Sequence, residues 1–443
     1  MSRNNLVMLA LLVVPLLGAA DPSTDRLSRH AATPQRIAEL VAQLGAPVRM
    51  DRDLAAGELA GLGAAALPAL EGALNNPDAE IRRRAGELVE QLRAEIACAT
   101  TLLDLDWKTI PVRLAIEDLA RKTGLPFQLN VPGGAGQASY SRWVTLEGED
   151  VPLLKALDHV CRVGSLQVRW PPQPDMPIVL MPGPAAEYPA SYDGPFSVRL
   201  RELELTRRHR FGEDRERTSR LEIRFEVLAE PHVTLLATQP LVLTEAVDAH
   251  GSLLNLESAR SVNQYNRPPV WGIRSPLGGR VFNVKASMPL PQEPGQVLQR
   301  LAGEVTVDLL TGRDLALVID DVAQDAAREH DIDGTSLVVE AVEETDEQLA
   351  ISLVVDQTRT AAGVRSGAFF RDCFELVDKN GEKLSTNLTA QPNTRIRGSG
   401  ATTKVNLTAG LSEQTEGPWR LLVYQARQYS YTIPFRFDDI PLP

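Results

Sequence analysis

Residues 101–181 hold one strand–helix–strand phrase written twice, and a chain built that way has few folds open to it. The first copy runs Leu103-Asp104-Leu105-Asp106, Ile110-Pro111, a helical stretch, and Leu125-Pro126-Phe127. The second runs Val144-Thr145-Leu146-Glu147, Val151-Pro152, a helical stretch, and Leu166-Gln167-Val168. Pro111 and Pro152 are 41 apart (152 minus 111), and at that offset Ala115 falls on Ala156, Leu119 on Val160, Arg121 on Arg162 and Leu125 on Leu166. Period-2 alternation marks each opening as a half-buried strand. A proline follows at the first-turn position, where no hydrogen bond is lost. Val112, Ile116, Leu119 and Ala120, and then Leu153, Leu157, Val160 and Cys161, repeat one helical spacing, so each helix has one apolar face. Gly124 and Gly164 are placed as left-handed caps. A hairpin, Leu166–Trp170 with Ile178–Met181, closes the second copy. The expected unit is βαβ-βαββ, two helices on one small sheet, with neither half able to bury its apolar face alone.

The phrase "VTLEGEDVPLLKALDHVCRVGSLQVRW" (144–170) resembles the short N-terminal domain of secretins and TonB-dependent receptors, the N0-like fold. The resemblance spans residues 101–182. It implies a periplasmic module that holds protein partners, often by adding a strand to a sheet edge. Nothing after residue 182 resembles a secretin pore or a receptor barrel.

Residues 1–20 read as a signal peptide: Arg3, an apolar Leu6–Leu17 run too short to span a bilayer, and the small residues Gly18-Ala19-Ala20. No cysteine follows to carry a lipid. The expectation is an exported protein, periplasmic or extracellular, with no integral membrane segment after cleavage.

Residues 34–98 read as helices. Ile37, Leu40, Val41 and Leu44 form one stripe, and Leu54, Leu59 and Leu62 another. Leu67, Leu70 and Leu74 precede the Asn76-Pro77-Asp78 corner, read as cap, first-turn proline and first-turn acid. Ile81, Ala85, Leu88 and Leu92 follow. Ala66–Leu70 and Ile81–Ala85 resemble a HEAT repeat, with fewer than two units present. Arg82, Arg83 and Arg84 are read as either a basic contact patch or a solvent face.

Residues 183–194 are rich in Pro, Gly and Tyr and read as a linker. From 195 the period is 2. Short strands with turns between them predict two antiparallel β-sandwiches of immunoglobulin-like kind, 195–325 and 334–443. Val305–Leu309 and Leu315–Ile319 read as separate strands, as do Leu421–Val423 and Tyr429–Phe437. Leu200 and Leu203 are out of phase, which predicts a bulge. Asp378-Lys379-Asn380-Gly381 is the clearest tight turn. The ending Thr432–Pro443 resembles the last strand of a sandwich module in secreted bacterial proteins of unassigned role. The expected fold class is therefore multidomain α+β.

The net charge of −12 gives no support for nucleic-acid binding. Twelve acids against Arg313 and Arg328 crowd residues 313–347, a net of −10, read as solvated strand edges. Cys98, Cys161 and Cys373 permit one bridge, Cys98–Cys161 being one pairing, but no framework and no metal spacing. Asp331-Ile332-Asp333-Gly334 opens like a calcium loop, but Val342 stands where the closing Glu belongs. Asn387-Leu388-Thr389 and Asn406-Leu407-Thr408 fit the glycosylation pattern and read as strand residues. Tyr265, Arg267 and Trp271 flank Pro268-Pro269 as an aromatic loop suited to stacking on a sugar ring or a peptide, with loop packing as the competing reading. Arg207-Arg208-His209-Arg210 tips a hairpin and reads as solvated. No phosphate loop, Gly-x-Ser-x-Gly or zinc motif is present, so no cofactor and no catalytic residue is expected. The expected function is a non-enzymatic protein-binding or scaffolding protein of the cell envelope, holding an envelope protein by an edge strand or the helical repeat. The alternative is a protein that binds carbohydrate or surface polymer through the sandwiches.

Overall fold

The computed structural model describes residues 33–130, 140–170, 177–183, 188–209, 211, 217–256, 260–262, 281–291, 295–332, 334–358, 373–391, 400–412 and 415–443. The signal-peptide reading of residues 1–20 lies outside these. The chain is mixed α and β and divides into two units, up to Ile96 and from Ala97 onward.

The first unit is helical: α1 (Pro34–Gln43), α2 (Arg49–Gly61), α3 (Leu67–Ala73) and α4 (Ala79–Ala97). Ile37, Leu40, Leu44, Ala55, Leu59, Leu70, Ile81, Ala85, Leu88 and Leu92 form its core. Leu54 is 56 % exposed and is replaced in the core by Ala55. Asp78, not Asn76, caps α4: its Oδ1 accepts from the amides of Glu80 at 2.8 Å and Ile81 at 3.3 Å, because the helix starts one residue beyond the proline corner. Arg52 donates to the carbonyls of Ala46 and Pro47, and Arg82, 30 residues later (82 minus 52), donates to those of Asn76 and Pro77. The arginine cluster is consumed internally: Arg83 pairs with Glu80 and Glu87, and Arg84 with Glu80 and Asp53.

The second unit opens with the duplicated module: β1 (Leu102–Pro111), α5 (Val112–Thr123), β2 (Phe127–Leu129), β3 (Trp143–Pro152), α6 (Leu153–Gly164), β4 (Leu166–Arg169) and β5 (Ile178–Pro182). The strands form two sheets where one was expected: a β1–β3 pair, and β2-β5-β4 with β2 parallel to β5. Both helices share one core, with Val112, Ile116 and Leu119 against Leu153, Leu157 and Val160. The duplication is a two-fold. Leu102 pairs with Pro152 and Pro111 with Trp143, each the 41-residue image of the other. The amide of Val112 donates to Arg142 O at 2.8 Å, and that of Leu153 to Thr101 O at 2.9 Å. Two residues before each proline the backbone turns left-handed, at Thr109 (φ 56°) and Asp150 (φ 53°). Each strained residue's amide is satisfied by a cross-strand side chain at 3.2 Å, Thr145 Oγ1 for Thr109 and Asp104 Oδ1 for Asp150. Pro111 and Pro152 are the caps themselves, one position earlier than expected. Gly124 is the expected left-handed cap at φ 70°, but in the second copy Ser165 takes that conformation. Gly164 serves close packing instead: a Cβ there would lie 2.9 Å from Leu166 and 3.2 Å from Val112.

Three five-stranded sheets follow. The first contains β6 (Ala190–Asp193), β7 (Phe196–His209), β8 (Arg217–Ala229), β11 (Arg260–Val262) and β12 (Val281–Leu290), in order β11-β12-β8-β7-β6. The second contains β10 (Val242–Val247), β13 (Val297–Ile319), β17 (Phe374–Val377) and β20 (Arg420–Pro441), in order β10-β13-β20-β17, with β9 (Leu235–Thr238) also on β13. The third contains β14 (Glu329–Ile332), β15 (Thr335–Glu344), β16 (Gln348–Thr358), β18 (Thr386–Gln391) and β19 (Gly400–Gly410), in order β14-β15-β16-β19-β18. The first and third sheets have one topology: β6, β7, β8, β12 and β11 correspond to β14, β15, β16, β19 and β18. The segment read as a linker thus contributes an edge strand, β6.

The shared middle sheet departs from two separate sandwiches. β13 and β20 pair along their whole length, with register shifts at Leu310/Gly312 and Leu315/Leu317 where the sequence suggested a turn. The first half of β13 (Leu298, Leu301, Val305, Val307, Leu309) lines the first core together with the last part of β20 (Ile433, Phe435, Phe437, Ile440). Ile319 at the far end of β13 joins Leu421 and Val423 of β20 in the second core. Each module's last strand therefore runs into the other's core, and residues 429–441 pack with the first module. Gly303 opposes Phe435, and a Cβ there would lie 2.6 Å from that ring, so the bare backbone admits the aromatic.

Candidate functional site: the junction of the two duplications

One cluster of partly buried polar residues fixes the duplicated α/β module to the first β sheet. On α6, Asp158 accepts from Arg199 Nη2 at 2.6 Å and from Tyr192 Oη at 2.7 Å. Arg199 Nη1 continues to Glu226 Oε1 at 3.2 Å, across a register pair of β7 and β8. Arg199 is only 11 % exposed. Burial opposes its charge, but Asp158 and Glu226 outweigh that and hold the guanidinium charged. Burial and the neighbouring Asp158 push the Tyr192 hydroxyl's pKa up. Tyr192 sits on β6, β7 carries Arg199 and β8 carries Glu226, so three strands present one polar row to one helix. The 41-residue image of Asp158 is Glu117, which pairs with Arg113 in solvent. The two copies have diverged, and only the second docks on the β sheet.

The second contact is Glu230, just past β8. Its carboxylate is fully buried and accepts from the Thr101 amide at 3.1 and 3.3 Å. His232 Nδ1 lies 3.6 Å away. Burial pushes the Glu230 pKa up to about 7, against the lowering effect of the Thr101 hydrogen bonds. Tyr431 of β20 donates to Asp193 at 2.9 Å and its ring lies 5.1 Å from Phe196, tying the edge strand to the shared sheet.

Elsewhere, Glu375 on β17 accepts from Arg313 at 2.6 Å, Lys383 at 2.7 Å and Tyr424 at 3.0 Å. Burial would raise its pKa, but those three donors hold it below the usual carboxylate range. His330 is paired with Asp325. No group of three or more metal-ligating side chains converges among the described residues. Of the calcium-like stretch, Asp331 and Ile332 end β14, Ile332 pairs with Thr335, and Gly334 (φ 80°) donates its amide to Asp331, while Asp333 lies outside the described residues. All three cysteines are free. Cys161 is in the core of its module, and burial pushes the Cys98 thiol up to about 11. Tyr265, Arg267 and Trp271 lie outside the described residues. The sequence reading missed Asp158, Arg199 and Glu230. An acid on the apolar α6 face, an arginine inside an alternating strand and a glutamate ending β8 were the available signals.

An open polar groove of about 580 Å3 lies at one end of the third sheet, between Thr345, Gln348, Ser385, Asn387 and Thr408, where Gly410 presents no side chain.

No helix among the described residues is long and apolar enough to cross a membrane. No family model and no curated protein matches the chain. Among solved structures, the crystal structure of the conserved domain protein from Bacillus anthracis aligns at 9 % identity, covering 56 % of this chain and 89 % of that one, with a TM-score of 0.18, which carries no inference about fold or function.

Proposed function

We propose that the chain is an exported, non-enzymatic scaffolding or protein-binding component of the cell envelope. In this reading the 34–98 helices are a short HEAT-like element, residues 101–182 an N0-like docking module, and the β modules immunoglobulin-like sandwiches that carry it. One observation supports the reading most. The duplicated module is clamped at two buried points, while β1 and β3 pair only with each other among the described strands. A rigidly mounted strand pair with outer edges unpaired suits strand addition by a partner. The test is a photo-crosslinker at Lys108, on β1 and 66 % exposed, in cells that make the full chain. One defined envelope protein should crosslink from Lys108 and not from Lys379, on the far β module. No product at Lys108 would remove the reading. The second reading, binding of carbohydrate or surface polymer, is favoured by the polar groove beside Gly410. A glycan array with the mature chain and a Gly410→Trp variant tests it: binding that the variant loses would support a glycan site.

A further inference from the structure

The two β modules repeat one topology, so each position of the third sheet has a counterpart in the first. The last core row of β16 and β19 is Leu349 with Ala409, and that of β8 and β12 is Leu221 with Met288. One residue further out, Gln348 pairs with Gly410 in the third sheet and Arg220 with Pro289 in the first. On the same outer face, Thr408 corresponds to Ser287. In the first sheet this place is closed. Arg220 Nη1 donates to Ser287 Oγ at 3.0 Å, and a proline stands where the third sheet has glycine. In the third sheet it is open and forms the groove of about 580 Å3.

Gly410 has no internal reason to be glycine. Its φ lies outside the left-handed region, and a Cβ built there meets no atom within 4 Å. A strand glycine of that kind marks a surface that something from outside approaches closely. Gln348 stands on one flank and Ser385, just before β18, on the other, with Asn387 and Thr408 in the next row. From β16 to β18 is two strand spacings, about 10 Å. The rim is pinned: Thr345 Oγ1 accepts from the Gln348 amide at 3.1 Å, and the Leu411 amide donates to Glu347 O at 2.8 Å. The side chains of Glu347, Gln348, Ser385 and Asn387 are exposed and bond to no described residue.

Resting on the carbohydrate reading, we propose that this groove binds an uncharged oligosaccharide, with one ring seated on Gly410 and its hydroxyls held by the Gln348 and Asn387 amides. A side-chain amide donates and accepts at once, as a pair of neighbouring sugar hydroxyls does. None of the nine lining residues is aromatic, lysine or arginine. An apolar ligand therefore finds little area to bury, and an anion finds no counter-charge. Glu347, at the end of the acidic run, repels uronate and phosphate polymers. A cationic sugar gains little from a carboxylate that stands in water.

The test applies the full chain to an array of uncharged glycans (β-glucan, mannan and chitin oligosaccharides) beside polyuronates and chitosan, with affinities then measured by calorimetry. Uncharged glycans should bind, with an affinity unchanged between about 0.05 and 0.5 M salt. Gly410→Trp should abolish binding. Gln348→Ala and Asn387→Ala should each weaken it about fivefold, the loss of one neutral hydrogen bond. Arg220→Gln, at the counterpart position of the first sheet, is the control and should bind as the wild type does. An unchanged melting temperature will show each variant folded. Binding confined to polyuronates or chitosan, and lost in Gly410→Trp, would overturn the uncharged ligand and leave the carbohydrate reading standing. Uncharged-glycan binding that all three groove variants retain would overturn the site. No glycan bound by the wild type would overturn both the proposal and the reading beneath it.

Discussion

Glu230 is the residue whose chemistry and position are most at odds, and that conflict has a measurable consequence. It is fully buried, has no arginine or lysine partner among the described residues, and accepts hydrogen bonds there from one backbone amide. Its pKa is raised from 4.5 to about 7, so the folded chain holds a proton that the unfolded chain releases between those values. The associated stability is fully present below about pH 4.5 and is lost as pH rises through about 7, an effect on the order of 3 kcal/mol. Glu230→Gln keeps an oxygen for the Thr101 amide and removes the charge. The variant should be more stable than wild type at pH 8, by urea midpoint, with a flatter pH profile from 4.5 to 7. Equal pH profiles for the two proteins would show that Glu230 is ionised at no cost, through water or through protonated His232.

The elements show why some local structure was legible and some was not. The turn at Asp378 was readable because its Asn-Gly pair announces it, and the structure shows Asp378 Oδ1 accepting from the amides of Asn380 and Glu382, both at 2.8 Å. Asp248 builds the same turn 130 residues earlier (378 minus 248), accepting from His250 at 2.8 Å and Ser252 at 2.9 Å, with Gly251 at φ 77° and Gly381 at φ 83°. Both follow equivalent strands, β10 and β17. The sequence marks each turn, but their equivalence rests on backbone geometry that three differing side chains conceal. Asp248→Ala leaves two amides without acceptors and should cost about 2 kcal/mol, while Asp248→Asn, which keeps the acceptor, should recover most of it. Thermal melts of the pair decide this, and equal losses would mean the charge matters and not the geometry. The duplicated α/β halves were legible for a related reason: a helical face and a strand phase are local patterns. Ser165 was not, because a left-handed cap at a non-glycine residue leaves no compositional trace.

At the scale of the whole second unit, what escaped the sequence is the exchange of closing strands. Alternation shows that β13 and β20 are strands but not which core each end enters, since both cores ask for the same Leu, Val, Ile and Phe rows. Thr311-Gly312-Arg313-Asp314 looks like a turn, yet it is a register shift inside one ladder, with Arg313 reaching across to Glu375 and its guanidinium 4.3 Å from the centre of the Tyr424 ring. The exchange makes an unusual prediction about where damage spreads. A chain ending at Gln428 loses Ile433, Phe435, Phe437 and Ile440, all from the first core, though by order along the chain they belong to the second module. Phe225 loses both aromatic neighbours, Phe435 at 5.1 Å and Phe437 at 6.1 Å. The second core keeps Leu421, Val423, Phe374 and its whole facing sheet. Hydrogen exchange read by mass spectrometry should therefore show β7, β8 and β12 losing protection in the truncated chain, with β15, β16 and β19 retaining theirs. If protection is lost instead from the third sheet, each module closes with its own strand, and the exchange of closing strands described above does not exist in solution.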